Sequence, residues 1–339
     1  ILRCLVGSEM CIRDRHHWLF SKNPGHDFTR QHLGKLSFYD TMRLIISMGK
    51  GSTNDEIMDY FDLDPDLIPS QSAFCQRRRQ ISLSAFEYLF SEFSSSFPST
   101  TDKFKDHCIL ACDGCHVVYA TNSDIIEDYN KPRLIDYKGY NHMHLNGFVD
   151  VISKAFLDVV IQPGQQPDER EALHSMLDHF TPDDPQKYII TADRGYESYD
   201  LLFHCELQNL GYVFRVKSPS SPKSILSYYA SELPDDLEEF DVTIKRFFTD
   251  KATNIMKSQS DVYRYINPSK NTPHFYELLR KNHSHLYFLQ FRVVKIKTAG
   301  ISKTGNLLPD SVQFRHFYRK RSGRRKPEKE TGWQQQVSL

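Results

Sequence analysis

The sequence predicts an α/β fold in which a mixed β-sheet is flanked by helices, with an N-terminal helical region before it and a β-rich insertion after it. Three observations predict this arrangement. Residues 38 to 97 have the apolar spacing of amphipathic helices, bounded by N-cap residues and glycines. Strand-like runs begin at His107, and helical and strand patterns alternate between residues 169 and 217. Strand-like pieces joined by polar, proline-containing loops then extend to about residue 297.

Length and composition limit the class of protein. A chain of 339 residues is long enough for two or three domains with a well-buried core. No apolar run approaches the roughly 18 residues that a membrane span requires, so we expect a soluble protein without a membrane partner. Seven cysteines at irregular spacing favour a reducing cytoplasm over a disulfide framework.

The charge distribution gives no general support for a polyanionic partner. Basic and acidic residues number 43 each, and 9 of the basic but only 3 of the acidic ones follow residue 298. The rest of the chain therefore carries 34 basic (43 minus 9) and 40 acidic (43 minus 3) residues, a net charge of about −6. Nucleic-acid binding thus requires local basic patches.

The two ends of the chain differ from the middle. Residues 1–15, ILRCLVGSEMCIRDR, lack the positive start and continuous apolar centre of a secretion signal and resemble a translated sequencing adapter, so we interpret them as a non-native leader. Residues 299–339 lose the apolar periodicity and become rich in Arg, Lys and Gln. This pattern is typical of a disordered basic tail, and a shifted reading frame gives the same composition.

Residues 16–104 form the predicted helical region, and one of its helices carries a basic cluster. Ser70 can cap a helix that contains Arg77, Arg78 and Arg79. Short helices with such a basic segment predict a DNA contact of the helix-turn-helix type. A solvated basic face on a small helical bundle explains the cluster equally well.

Residues 105–218 supply the predicted core. Three successive strands, CILACDGCHVVYA, MHLNGFVDVIS and AFLDVVIQPG, precede a helix, a strand, a second helix and a last strand. This order is that of the ribonuclease H-like folds, and residues 219–298 then form the β-rich insertion.

Two aspartates stand at comparable places on the core strands. Asp113 interrupts the first strand, and Asp193 ends a later one in the segment TADRGYESYDLL. In a ribonuclease H-like sheet the first and fourth strands are neighbours, so the two carboxylates can converge. Convergent carboxylates are the oxygen ligands that Mg²⁺ prefers, and a metal pair can catalyse phosphodiester displacement. Turn chemistry alone is the other explanation for an Asp after an apolar strand.

A cysteine cluster, HCILACDGCH, offers a second candidate metal site. It holds Cys112 and Cys115 at zinc-ligand spacing with Cys108 nearby, and the remaining candidates are His204 and Cys205. Ligands this dense on one strand point to opposite faces, which disfavours a zinc site.

Four segments, ILACDGC, KGYNHMHLNGFVDV, VIQPGQQPDEREAL and TADRGYESYDLL, together resemble the DDE transposases of bacterial insertion sequences, of the insertion-sequence-4 type. The resemblance covers about residues 36 to 297, and DRGYESYDLL is its most specific part. It implies a DNA transposase that cuts element ends and joins them to new DNA with Mg²⁺ or Mn²⁺. It also implies double-stranded DNA as partner (terminal repeats and target), a homodimer on that DNA, and a cytoplasmic, nucleoid-associated bacterial protein.

The resemblance assigns roles to particular residues. Asp113 and Asp193 become the first two acids of the catalytic triad and ligands of the metal. Arg194 becomes a phosphate contact, with a surface ion pair as the alternative. His142 and His144 share one face of a strand, where a structural role is favoured over a ligand role.

The third acid of the family is missing from this sequence. It belongs to a Tyr-x2-Arg-x3-Glu-x6-Lys motif on a helix after the insertion, but the nearest frame starts at Tyr318 and Arg321 and places Arg325 where Glu is due. Glu328 and Glu330 lie in the basic tail and are not expected to substitute. We therefore expect negligible strand transfer, and a frameshift near residue 297 is the hypothesis for the loss. A ribonuclease H-like nuclease without strand transfer and a DNA-binding remnant are the alternatives.

Overall fold

The computed structural model describes most of the chain and divides it into two compact units, residues 1–99 and 100–339. The described residues are 17–24, 26–28, 36–96, 104, 106–131, 139–267, 272–296, 300–301, 307–308 and 313–318. Within them, no helix is long and apolar enough to span a membrane.

The first unit is helical in its described part. Its α-helices are α1 (Phe38–Ser47), α2 (Thr53–Tyr60), α3 (Gln71–Gln80) and α4 (Ser84–Ser96). Serines cap the first three helices, because the side chains of Ser37, Ser52 and Ser70 each accept a hydrogen bond from a backbone N–H of the first turn. Their apolar faces form two small buried clusters, one around Phe38 and one around Phe74.

The second unit contains the predicted mixed sheet. Its strands are β1 (Cys108–Tyr119), β2 (Tyr129–Asn130), β3 (Tyr140–Asp150), β4 (Phe156–Pro163), β5 (Tyr188–Ala192) and β6 (Gly211–Phe214). The order across the sheet is β4-β3-β1-β5-β6, and the short β2 also pairs with β3. β1 is antiparallel to β3 and parallel to β5, and β5 is parallel to β6. This is the ribonuclease H-like order, so the predicted fold class is confirmed.

Two helices flank the sheet, and the second is buried along most of its length. α5 (Glu169–His179) follows β4, and α6 (Tyr199–Leu207) follows β5. Side chains cap both helices: Asp168 accepts from two backbone N–H groups of α5, and Ser198 from one of α6. Every residue of α6 from 200 to 206 is buried. α6 contacts α5 and β6 of the core and also a helix of the following segment, which explains this burial.

Between residues 219 and 298 the described chain forms a second sheet with two helices. Its elements are β7 (Phe240–Thr249), α7 (Asn254–Ser258), β8 (Tyr263–Tyr265), α8 (Pro273–Lys281) and β9 (Leu286–Ile296). β7 pairs antiparallel with β9 and parallel with β8. Asp200 of α6 accepts hydrogen bonds from the backbone N–H groups of His274 (3.1 Å) and Phe275 (3.3 Å), so a residue of the core caps α8.

The tail after residue 298 contains short strands. β10 (Gly300–Ile301) pairs with β11 (Leu307–Leu308), and β12 (Gln313–Tyr318) pairs antiparallel with β9. The expectation of a tail without regular structure is wrong for these segments. QFRHFY is rich in aromatic residues that favour strands, and β9 offers an edge of unpaired backbone groups. Arg321, Arg325, Glu328 and Glu330 lie outside the described residues.

A buried carboxylate anchors the segment between Asp193 and α6. Glu197 accepts hydrogen bonds from the backbone N–H groups of Ile225 (2.6 Å) and Lys217 (3.1 Å) and from the hydroxyl of Ser224 (2.8 Å). The ammonium group of Lys217 lies 3.4 Å from the same carboxylate. The loop that follows Asp193 is therefore fixed by donors from a later part of the chain.

Replacing Glu197 by Ala should destabilise the second unit. The change leaves three donors without their acceptor, and we expect the free energy of unfolding to fall by about 3 kcal/mol. Urea-induced unfolding of the full chain measures the effect. The matched control Glu277→Ala removes an exposed carboxylate from α8 and should change the free energy by less than about 0.5 kcal/mol. Equal stabilities of the two variants would contradict the anchoring role.

Candidate active site

The parallel pairing of β1 and β5 brings Asp113 and Asp193 to one edge of the sheet. Cys112 is paired with Ala192, and each aspartate is the next residue along its chain. Neighbouring strands lie about 4.8 Å apart, so the two Cα atoms are close neighbours. Both side chains are exposed, and each accepts a hydrogen bond from a nearby backbone N–H, at 2.9 and 2.6 Å. The structure thus brings together the two acids that the sequence singles out.

A third carboxylate, Glu169, approaches this edge from the N-terminus of α5. A Cβ atom added to Gly195 would lie 2.6 Å from Glu169 Oε2 and 2.9 Å from Asp193 Oδ1, so both carboxylates stand over the same glycine. Burial raises the pKa of Glu169, and the negative charges of Asp193 and Asp113 raise it further. Sequence reasoning does not identify Glu169, because an acid in the first turn of a helix is ordinary.

The chemistry of these carboxylates suits a divalent cation. Their oxygens are the ligands that Mg²⁺ and Mn²⁺ prefer, and a cation relieves the repulsion among like charges. Burial raises the pKa of Glu169 most, and the charges of Asp193 and Asp113 add to that rise. In the described part of the chain, however, the candidate ligand atoms of three or more residues lie within 4.8 Å of one another only in a group of histidines. The three carboxylates therefore interact electrostatically without gathering around one point.

Three histidines pack beside the acids. His116 of β1 is paired with His144 of β3, and its ring centroid lies 4.8 Å from that of His144 and 4.7 Å from that of His142. His142 is buried and forms a hydrogen bond with Asn130. His144 is also buried, and its Nε2 lies 3.6 Å from Glu169 Oε1. Burial is the main cause that lowers the pKa of His144, and the neighbouring His116 and His142 lower it further. Hydrogen bonds and ring packing thus account for His142, whereas His144 also reaches the acidic edge.

The four arginines predicted to bind DNA fall in two places. Arg194 is exposed at the edge of the sheet. The other three lie in the last turn of α3, where Arg78 and Arg79 are exposed. Arg77 is half-buried, and its guanidinium carbon lies 5.1 Å from the ring centroid of Phe28. Arg77 therefore contributes to the packing of its own unit. Arg78 and Arg79 are exposed, and the guanidinium carbon of Arg78 lies 5.8 Å from the ring centroid of Phe74.

In the described part of the chain, the group of three or more candidate ligands within 4.8 Å of one another consists of histidines and includes no cysteine. Cys108, Cys112 and Cys205 are buried and free, whereas Cys115 is exposed. Cys112 and Cys115 of β1 thus differ in exposure, as expected for residues on opposite faces of a strand. His204, the remaining candidate ligand, belongs instead to a group of histidines on the helices.

Comparison with known proteins identifies a domain family. The family model described as the transposase DDE domain matches residues 104–323, so the similarity continues beyond residue 297. A similar solved structure is the cryo-EM structure of a piggyBac transposase synaptic complex with hairpin DNA, with 12% sequence identity and a TM-score of 0.31. The comparison covers 83% of this chain and 47% of that one, so the chain spans about half the length of that transposase. No curated protein matches the chain.

Removing the charge of one aspartate should stabilise the chain. Asp193→Asn can keep the hydrogen bond from the backbone N–H of Gly195 but removes a negative charge near Glu169 and Asp113. In the presence of a chelator we expect the free energy of unfolding to rise by about 0.5 kcal/mol, which allows for solvent screening. Urea-induced unfolding measures the change.

Added Mg²⁺ provides the second half of this test. It should raise the melting temperature of the unchanged chain and have little effect on Asp193→Asn, because an ion stabilises the form that binds it. The matched control is Asp261→Asn, which neutralises an exposed aspartate 68 residues after Asp193. It should change neither the free energy of unfolding nor the rise in melting temperature that Mg²⁺ causes. A loss of stability in Asp193→Asn would refute the repulsion.

Proposed function

The chain belongs to the transposase DDE-domain family, and we propose that it is the transposase of a bacterial insertion sequence of the insertion-sequence-4 type. It acts by metal-dependent cleavage of phosphodiester bonds at the ends of its DNA element and by transfer of the strand ends to target DNA. Asp113 and Asp193 are the proposed catalytic residues and metal ligands. One observation carries the proposal: the paired ends of β1 and β5 present both carboxylates, with Glu169 beside them.

The residues at this edge suit phosphoryl transfer with Mg²⁺ or Mn²⁺. When bound, such an ion activates the attacking oxygen and stabilises the leaving oxygen. Asp113 and Asp193 would hold it through their carboxylate oxygens, which both face solvent and hence an incoming DNA strand. Glu169 supplies a third carboxylate, from the start of α5 and not from the helix that carries the third acid in the family.

The proposal includes negligible strand-transfer activity. The sequence completes no third-acid motif, since Arg325 occupies the position due to hold Glu. Two aspartates occupy fewer of the six ligand positions around Mg²⁺ than three acids do, so water fills more of them. The ion then holds the attacking and leaving oxygens less rigidly for in-line attack. A misplacement of about 1 Å can cost on the order of 100-fold in rate. We expect Glu169 to support slow cleavage and strand transfer to remain negligible.

The proposed partner is double-stranded DNA, both the terminal repeats of the element and the target. We expect the chain to act on this DNA as a homodimer, in the cytoplasm at the nucleoid. Arg194 is exposed one residue after Asp193, which supports a phosphate contact near the scissile bond. Arg78 and Arg79 support a second contact, from the first unit. Phosphate contacts of this kind position a protein on DNA without reading its sequence.

Cleavage and strand transfer can be measured separately on DNA taken from both flanks of the coding sequence. With Mn²⁺ or Mg²⁺ we expect slow nicking by the unchanged chain and no detectable joining. Asp113→Asn and Asp193→Asn should each reduce nicking by about 100-fold or more, because each removes a metal ligand. Glu169→Gln should reduce it by about 10-fold, and Asp261→Asn should have no effect.

The outcomes separate the candidate functions. Efficient joining by the unchanged chain would show that the inactivity proposal is wrong. Cleavage without joining, even of a pre-cut end, would favour a nuclease. DNA binding with no cleavage in either metal would leave a DNA-binding remnant as the function.

The exposed arginines of α3 should contribute to DNA affinity through phosphates. Each phosphate that a protein neutralises contributes about 0.9 to the slope of log affinity against log salt concentration. Replacing Arg78 and Arg79 by Ala should therefore lower the slope of the full chain by roughly 2. Arg77→Ala should instead lower stability, because Arg77 packs on Phe28. Lys50→Ala, which removes an exposed charge of the same unit, is the control, and an unchanged slope in the double variant would identify a merely solvated face.

A further inference from the structure

Three histidines from three different helices meet inside the second unit. His174 of α5, His204 of α6 and His274 of α8 each offer a ring nitrogen, and these nitrogens lie within 4.8 Å of one another. The rings are nearly parallel, with interplanar angles of 8° to 16° and centroids 3.9 to 5.1 Å apart. His204 is buried, and the side chains of His174 and His274 are 12% and 15% exposed.

Each of these rings has a carboxylate beside one of its two nitrogens. Asp200 Oδ2 lies 2.7 Å from Nδ1 of His274 and 3.6 Å from Nε2 of His174. Asp178 Oδ1 lies 3.2 Å from Nε2 of His204. Of the three rings, His274 forms a hydrogen bond with its carboxylate, so Nδ1 of His274 donates to Asp200 and a lone pair remains on Nε2. Histidines that bind metals have this arrangement.

Nδ1 of His174 and Nδ1 of His204 form a hydrogen bond of 2.9 Å, so one of these two nitrogens carries the shared proton, which a bound metal ion would displace. The Nε2 atom of Gln208 lies 3.2 Å from His204 Nε2, on the outer side of that ring.

We propose that His174, His204 and His274 bind one transition-metal ion of the zinc type, with water as the fourth ligand, with Asp200 as the acceptor behind His274 and with the carboxylate of Asp178 beside His204. Three imidazoles and a water form a known zinc coordination set, whereas Mg²⁺ prefers oxygen ligands. Because imidazole lone pairs lie in the ring planes, binding would require the nearly parallel rings to rotate out of their stack so that the three lone pairs meet.

Such an ion would join the catalytic edge to the second sheet. α5 begins with Glu169, which lies five residues before His174 and so about 7.5 Å away along the helix axis. α6 follows the loop that starts at Asp193, and α8 belongs to the segment of the second sheet. The site thus differs from the acidic edge both in its residues and in the metal that it selects.

The test uses the full chain carrying Asp113→Asn and Asp193→Asn, so that the acidic edge does not take up the ion. The protein is equilibrated with Zn²⁺ and dialysed against metal-free buffer, and its zinc content is measured. We expect about one zinc per chain and a melting temperature several degrees higher than after treatment with a chelator. Co²⁺ should give the visible absorption of a tetrahedral nitrogen-ligated site, and excess Mg²⁺ should not displace either ion.

A matched pair of variants assigns the ligands. His274→Gln should lose the retained zinc, whereas His285→Gln, which alters a 64% exposed histidine close to the end of α8, should keep it. Equal zinc content in the two variants would overturn the proposal. If His274→Gln does not fold, the chain that carries only Asp113→Asn and Asp193→Asn provides the test. Fewer than about 0.1 zinc per chain together with no cobalt absorption in that protein would also overturn the proposal. The result is independent of DNA cleavage, because the catalytic acids are absent throughout.

Discussion

The parallel pairing of β1 with β5 is the constraint on which the acidic edge of the sheet depends. The two strands are far apart in sequence, and five paired positions ending at Cys112 and Ala192 set their register. Leu110 and Cys112 are buried against the helices while the next residue, Asp113, is exposed. A shift of one residue would turn these side chains to opposite faces of the sheet, so burial of the apolar positions holds the register. Asp193 is thereby kept beside its partner without any direct bond between the two acids.

The segment DRGYESYD provides three acids whose surroundings give them three different roles. Asp193 is exposed and lies near two other carboxylates, an arrangement that costs stability unless a cation is present. Glu197 is buried and accepts three hydrogen bonds. Asp200 is buried and caps α8 with both of its oxygens engaged. The two buried acids offset the repulsion at the edge, because they fix the loop and helix that follow Asp193.

The strand order and the edge position of Asp113 and Asp193 could be predicted because they depend on local patterns. Apolar runs of strand length, helical periodicity between these runs and turn residues after them are sufficient to predict the strand order. The burial of Glu197 and Asp200 could not be predicted, since their donors lie 20 to 75 residues away in sequence. The sequence pattern does not identify Glu169 for a related reason. Its carboxylate approaches Asp113 and Asp193 only after folding has placed α5 beside the strand ends. The pairing of β12 with β9 likewise depends on an edge that only the folded sheet offers.

The burial of α6 shows that the second sheet is part of the core and not an appendage to it. An isolated ribonuclease H-like core would leave one face of this helix in water and would give it an amphipathic pattern. Here Phe203 contacts the rings of Phe248 and Phe275 from the second-sheet segment. Glu206 accepts hydrogen bonds from the hydroxyls of Tyr212 of the core and Tyr287 of β9. The apolar side chains of both sheets accordingly form one continuous buried cluster. Because α6 begins six residues after Asp193, a change of packing in the second sheet can reach the acidic edge through this helix.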